Sequence, residues 1–325
     1  MKAIRVHSFG EPEVLQLATV PEPTPGPGQV VVRLMAAGVN PVDTYVRSGK
    51  YGRLPELPYT PGTDGAGVIF AVGPEVPSQL QAGLRVWVAG SLTGTYAEAA
   101  LCDAGQVFPL PERVSFAQGA ALGIPYTTAY RALFQRGEAK PGETVLVHGA
   151  TGGVGVAAVQ FARAAGLRVL ATGGSEAGRR MLLAQGVSCV FDHATPDYMA
   201  AILDATDGRG VDLVIEMLAN LNLAKDLTVL ARCGRIVVVG SRGAIELTPR
   251  DLMVREADVR GMVLANAPLP ELARCHAAIS AALEAGFANP MLGNMFALAE
   301  TAAAHRAILA PGHAGKVVIR TDGKS

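Results

Sequence analysis

Hydrophobic and polar positions along the 325 residues change rhythm near residue 144. Before it, short apolar runs at 3–6, 30–36, 66–72 and 85–88 are separated by proline and glycine clusters such as Pro21-Glu-Pro-Thr-Pro-Gly-Pro-Gly28. Short strands with this punctuation predict a β-rich, barrel-like unit. Ser115-Phe-Ala-Gln118 has the spacing of a capping box and opens a helix. Pro125 interrupts that helical region, which resumes over 128–135 and ends at Gly137.

From residue 144, β-type and helical segments alternate. Apolar runs at 145–147, 167–172, 187–191, 211–216, 235–240 and 259–264 predict six strands. Helices begin at Val154, near Ser175, and near Thr195-Pro196, where a cap precedes a proline at the first helical position. The alternation predicts an α/β unit, a doubly wound parallel sheet with helices on both faces. An alanine-rich helix then runs from Pro268-Leu-Pro270 to about Ala285, a segment at 296–309 follows, and a strand at 315–320 closes the chain. A single terminal strand needs a sheet, so it is expected to rejoin the N-terminal β unit, making that unit discontinuous.

The first β-α-β unit carries the chemistry. Val145-Leu-Val-His-Gly-Ala-Thr-Gly-Gly-Val-Gly155 joins a strand to a helix whose Ala157, Ala158, Phe161, Ala162 and Ala165 share one face, and Gly166 stops it. The spacing is Gly149-x-x-Gly152-x-x-Gly155 with Gly153 added. Such glycines let backbone approach a pyrophosphate, and the helix N-terminus favours its charge. NAD-binding folds place an acid after the second strand to hold the ribose. Here that strand ends Ala171-Thr-Gly-Gly-Ser175, with Glu176 just beyond. Ser175, Arg179 and Arg180 can receive a 2′-phosphate, which favours NADP(H).

Half the residues are hydrophobic, and 28 Lys+Arg balance 28 Asp+Glu. The neutral total offers nothing to nucleic acid or an anionic membrane. No apolar run has the length of a membrane span, and the N-terminus lacks a signal-peptide core, so a cytoplasmic location is expected. Cys102, Cys189, Cys233 and Cys275 are scattered, which predicts free thiols and neither a zinc lobe nor a disulfide framework. Trp87 and His148 read as core residues, and the other histidines, apart from His193, form no ligand spacing.

Several segments carry a resemblance that runs nearly end to end: Gly38-Val-Asn-Pro-Val-Asp-Thr-Tyr-Val-Arg-Ser-Gly49, Leu57-Pro-Tyr-Thr-Pro-Gly-Thr-Asp64, Gly123-Ile-Pro-Tyr-Thr-Thr-Ala-Tyr-Arg-Ala132, the glycine loop, Ile215-Glu-Met-Leu-Ala-Asn220 and Val238-Val-Gly-Ser-Arg-Gly243. The chain resembles the zeta-crystallin-like quinone oxidoreductases of the zinc-independent medium-chain dehydrogenase/reductase superfamily. That resemblance implies a GroES-like catalytic domain (1–122 and 268–325) and a Rossmann NADP(H)-binding domain (123–267), with the active site in the cleft. It also implies NADPH-dependent reduction of a quinone, by hydride transfer or one-electron steps, in a homodimer or homotetramer. Zinc alcohol dehydrogenases hold catalytic zinc with Cys, His and Cys. The matching places here are Asn40, Thr63 and Ile124, which are poor zinc ligands, so no metal is expected.

By the same resemblance, Asn40, Asp43 and Tyr45 lie beside the nicotinamide and acceptor, where Asn40 or Tyr45 can bond a developing quinol oxygen. Tyr45 and Tyr51 can stack on the acceptor, Arg47 is at the surface, and Asp43 can equally be structural. Thr151, Gly152, Gly153 and Val154 match the pyrophosphate loop, and Gly174 and His193 match positions near the adenosine and its phosphate. Asn222, Val239, Gly240, Ser241 and Arg242, then Met262, Val263 and Leu264, match later cofactor contacts. Lys316 approaches a phosphate. Many bacterial relatives carry a lysine where this chain has Gly178. Two other functions stay open: an NADPH-dependent reductase of enones or 2-alkenals, with Tyr45 as proton donor, and a non-catalytic crystallin-type or RNA-binding protein. The second has neither an aromatic RNA motif nor a basic stripe behind it.

Overall fold

The computed structural model describes residues 1–321. They divide into two compact units, Met1–Ile124 with the segment from Pro290 onward, and Pro125–Asn289.

In the first unit the strand Gln29–Gly38 is the hub. It pairs antiparallel with Asp64–Val72 on one side, and with Ala99–Asp103 and Lys316–Arg320 on the other. Arg85–Ala89 and Val107–Pro109 extend one edge, and Leu292–Ala297 runs parallel to the terminal strand at the other. Val30, Val32, Leu34, Ile69, Val86 and Val88 form a core beneath it. Trp87 is fully buried and stacks on Phe108, centroids 4.4 Å apart. The terminal strand does rejoin this sheet. Ile319 lies opposite Ala37, and Val39 N–H donates to the Val317 carbonyl at 3.0 Å. That register carries Lys316 to the end of the strand that delivers Asn40.

In the second unit six parallel strands follow the order Cys189–Phe191, Arg168–Thr172, Thr144–Val147, Val211–Glu216, Leu230–Val238, Asp258–Gly261. Numbered along the unit this is 3-2-1-4-5-6, the dinucleotide-binding order, whose direction reverses between the first and fourth strands. Those two strands bury Val145, Leu146, Val147, Val214 and Ile215 completely. Helix Gly153–Ala164 packs on the first and second strands, burying Val156, Ala157, Val159 and Phe161.

Several expectations need correction. Pro125 does not interrupt a helix. It lies in the first turn of Gly123–Tyr130, where a missing N–H costs nothing. The helix after Pro196 starts two residues later, as Tyr198–Asp204, behind a left-handed Asp197 at φ 61°. The segment at 296–309 divides into the end of strand Leu292–Ala297, a 3-10 turn and helix Thr301–Ala307. Helix Leu269–Ala285 belongs to the second unit, so the second boundary falls after Asn289 rather than at 267/268. The four cysteines are free thiols. Among the described residues no helix is long and apolar enough to cross a membrane.

Candidate functional site

The glycine turn of the second unit is built for close backbone approach. Gly149 takes a left-handed φ of 55° that glycine adopts freely. A Cβ on Gly155 would sit 2.4 Å from Ala150 Cα and 2.6 Å from the Gly149 carbonyl oxygen. Helix Gly153–Ala164 starts at an extended Gly152 and has no acidic residue in its first turn. Its first N–H groups have no partner within the helix, and Thr151, Gly152, Gly153 and Val154 surround them. Gly155→Ala is expected to cost about 1–3 kcal/mol by forcing the backbone apart. Nucleotide affinity should fall with it, as thermal unfolding and a nucleotide titration would show.

At the end of the second strand, Ser175 caps helix Glu176–Ala184 by accepting from Gly178 N–H at 3.2 Å. Gly178 could not be a lysine without rearrangement, since its Cβ would lie 2.6 Å from Thr151 Cγ2. His193 does lie against Gly174, its ring 3.0 Å from where a Cβ would be. Arg179 is held at the same edge, donating to Asp192 Oδ2 at 2.7 Å and to the Gly173 carbonyl at 3.0 Å. Arg180 is exposed and pairs with Glu176 on its own helix. Asp192 is an acid that sequence reading missed, because it follows the third strand rather than the second. The Ala194 N–H and the Arg179 guanidinium hold its carboxyl below the ordinary range.

The other cofactor candidates gather at the carboxyl ends of the fourth, fifth and sixth strands. Val239 N–H donates to the Glu216 carbonyl at 2.8 Å, and a Cβ on Gly240 would meet the Met217 carbonyl at 2.5 Å. Ser241 Oγ donates to the Gly243 carbonyl, and Arg242 N–H donates to Asn220 Oδ1 at 2.8 Å. Asn222 Nδ2 donates to Glu216 Oε1 at 3.2 Å. Met262, Val263 and Leu264 leave the sixth strand beyond Gly261. Met262 is buried and Val263 is half exposed.

In the first unit, Asn40 caps helix Pro41–Arg47, and its N–H donates to Asp43 Oδ2 at 2.8 Å. Tyr96 Oη donates to the same oxygen at 2.9 Å, and His305 Nε2 lies 3.3 Å from Tyr96 Oη. Asp43 therefore anchors the helix start. Asn40 Nδ2 donates to Asp64 Oδ2 at 2.8 Å, and Lys316 Nζ donates to Asn40 Oδ1 at 2.5 Å and Asp64 Oδ2 at 3.0 Å. Ile124 N–H donates to Asp64 Oδ1 at 2.8 Å. Asn40, Asp64 and Lys316 are all buried. Lys316 is thus enclosed beside Asn40 and is not free to meet a phosphate. Arg47, expected at the surface, is buried too. Tyr45 and Tyr51 are partly exposed. A cavity of about 570 Å³ beside Asp43 is lined by Leu54, Tyr59, Thr63, Ser91 and Leu92 among others. The hydroxyls of Tyr59, Thr63 and Ser91 are buried without a partner.

Burial raises the Asp43 carboxyl to about 6, helped by the nearby Asp64 charge and opposed by the Asn40 and Tyr96 bonds and the Lys316 charge. An acid with a raised folded value contributes stability while protonated and loses it as pH climbs from its unfolded value, 3.8, through about 6. Asp43→Asn keeps an acceptor for both donors. It is expected to gain up to about 3 kcal/mol on the parent between pH 4 and pH 7, from about 1.4 kcal/mol per unit. Urea unfolding at both pH values measures this.

Two family models match the chain, the alcohol dehydrogenase GroES-like domain over residues 26–112 and the zinc-binding dehydrogenase over 153–280. With the discontinuous β unit and the 3-2-1-4-5-6 sheet, these place the chain in the medium-chain dehydrogenase/reductase superfamily. Human quinone oxidoreductase is 47% identical over 321 residues, 98% of this chain and 97% of the relative. Escherichia coli quinone oxidoreductase, solved in complex with NADPH, is 28% identical with a TM-score of 0.88, covering 98% of this chain and all of that one. An NAD-dependent alcohol dehydrogenase structure is 30% identical with a TM-score of 0.91, covering 99% of this chain and all of that one. Within the superfamily, the chain belongs to the quinone oxidoreductase family of enzymes.

Proposed function

We propose that this protein reduces quinones with NADPH and without zinc. The observation that carries the cofactor reading is the cradle at Gly149–Gly155, where backbone, a helix N-terminus and the lack of a first-turn acid fit a pyrophosphate. Bound there, NADPH supplies the reducing equivalents. Ser175 and Arg179 stand at the strand end where a 2′-phosphate falls, with His193 against Gly174.

The acceptor is assigned to the cavity beside Asp43. A quinone ring is apolar with two carbonyl acceptors, and the unpartnered hydroxyls of Tyr59, Thr63 and Ser91 beside Leu54 and Leu92 match that chemistry. Tyr45 and Tyr51 do not line this cavity, so stacking on the ring falls to Tyr59, which does. Asn40 is buried outside the cavity lining, and its amide is already bonded to Asp64 and Lys316. The Lys316 ammonium also supports the zinc-free reading, because a fixed positive charge within 2.5 Å of Asn40 Oδ1 repels a divalent ion there. A quinone is electrophilic enough that positioning and exclusion of competitors suffice.

The acceptor class is tested by turnover with NADPH on 9,10-phenanthrenequinone, 1,4-benzoquinone and 2-alkenals. Higher kcat/KM on the quinones is expected, and preference for the alkenals overturns the assignment. A homo-oligomer is also proposed. The edge strand Asp258–Gly261 pairs on one side alone, and nearby Met253 and Val254 are more than two-thirds exposed. Light scattering is expected to give a dimer or larger, and a monomer overturns this.

A further inference from the structure

His148, Glu216 and Asp226 are fully buried ionisable side chains that the reaction above does not use. His148 follows the first strand of the second unit, Glu216 ends the fourth, and Asp226 lies on helix Ala219–Val229. Gly149 N–H donates to Thr172 Oγ1 at 3.1 Å, and that hydroxyl lies 3.3 Å from His148 Nδ1. The Thr172 oxygen accepts from Gly149, so its own proton is available to Nδ1. That leaves a neutral imidazole with its proton on Nε2, aimed at Asp226 Oδ1 at 2.7 Å. Burial lowers the His148 pKa, which agrees with the neutral ring.

Of the remaining oxygens, Glu216 Oε2 lies 3.6 Å from His148 Nε2, beyond hydrogen-bond distance, and Asp226 Oδ2 is buried beside it. One nitrogen of His148 and one oxygen from each carboxyl all lie within 4.8 Å of one another. Adjacent carboxyls in a dry site share a proton, because both cannot ionise there. Burial pushes both up to about 7. Lys225 and Tyr198 are the other titratable groups facing the pair. Glu216 Oε1 meanwhile accepts from Leu218 N–H and from Asn222 Nδ2. These three are the one cluster of potential metal ligands among the described residues. The 2.7 Å contact is a hydrogen bond, however, whereas donors sharing a tetrahedral zinc lie about 3.3 Å apart.

We propose that His148, Asp226 and Glu216, with one shared proton, form a buried positioning chain that holds the Gly149 turn at one end and Asn222 at the other in the arrangement that receives the cofactor. The proposal rests on the NADP(H) reading and not on the identity of the acceptor. Its test is the Kd for NADPH, read from nucleotide fluorescence with no acceptor present, for the parent, Glu216→Gln, Glu216→Ala and Thr172→Val.

Glutamine keeps the acceptor for Asn222 and donates its amide to Asp226, so Glu216→Gln should bind within about twofold of the parent at neutral pH. Glu216→Ala strands the Leu218 N–H and Asn222 and should weaken NADPH about tenfold. Thr172→Val keeps the volume but removes the link to Gly149, and should weaken it about threefold even if the alanine variant fails to fold. As pH rises through about 7 the shared proton leaves, so the parent should lose affinity relative to Glu216→Gln. A folded Glu216→Ala or Thr172→Val that binds like the parent overturns the positioning chain. A parent that does not bind NADPH overturns the cofactor reading instead, and the proposal with it.

Discussion

Lys316→Met is expected to destabilise the first unit by about 3–5 kcal/mol, the cost of leaving one member of a buried ion pair uncompensated. Lys316 and Asp64 are each no more than 3% exposed, and the ammonium lies 3.0 Å from Asp64 Oδ2. Removing it leaves a carboxylate in a dry site with only the Asn40 amide and the Ile124 N–H as donors. Asp64→Asn in the methionine background removes that stranded charge and should recover a large part of the loss. The two substitutions should therefore couple by more than about 2 kcal/mol in a double-mutant cycle. Trp87 is the chain's single tryptophan and lies buried in this unit, so its fluorescence in urea reports the transition directly. Additive effects, or a loss under about 1 kcal/mol from Lys316→Met, would contradict the description of Lys316 as a structural cation.

The second large effect concerns cofactor choice. Arg179→Ala should raise the KM for NADPH roughly 10- to 100-fold and leave NADH nearly unchanged, because a charge-assisted bond to phosphate contributes about 1.5–3 kcal/mol. Asp192 tempers this residue. It ties the guanidinium at 2.7 Å and offsets its charge. Asp192→Asn should therefore tighten NADPH by a few fold, in the direction opposite to Arg179→Ala. Steady-state kinetics with both nucleotides at a fixed quinone concentration tests the pair. Equal losses with NADPH and NADH for Arg179→Ala would mean that the arginine only holds the strand end together.

Local chemistry made much of this fold readable from sequence. The run at 211–216 is a strand at those bounds because Val211, Leu213, Val214 and Ile215 are buried and apolar. Ser115 caps a helix as its spacing to Gln118 indicates, and a helix begins just after Ser175 as expected. Gly149 marks the cradle through a left-handed φ that glycine adopts freely, and Gly155 through a close approach that leaves no room for a Cβ. What stayed hidden depends on partners far apart in the chain. Lys316 meets Asp64 across 252 positions, and His148 meets Asp226 across 78, with no periodicity to announce either. Lys316 therefore read as a phosphate ligand when it is a buried cation. Asp192 escaped notice because its partner, Arg179, belongs to the preceding helix and a different strand end. Leu292–Ala297 is an edge strand that exposes Asn294 and Met295, so its pattern is not that of a half-buried strand.

Oxidation of NADPH and of NADH, each with 9,10-phenanthrenequinone in chelator-containing buffer, tests the central claim most directly. Turnover that survives chelation and prefers NADPH is the predicted result. Equal use of NADH, or activity that disappears with chelator and returns with zinc, would contradict it.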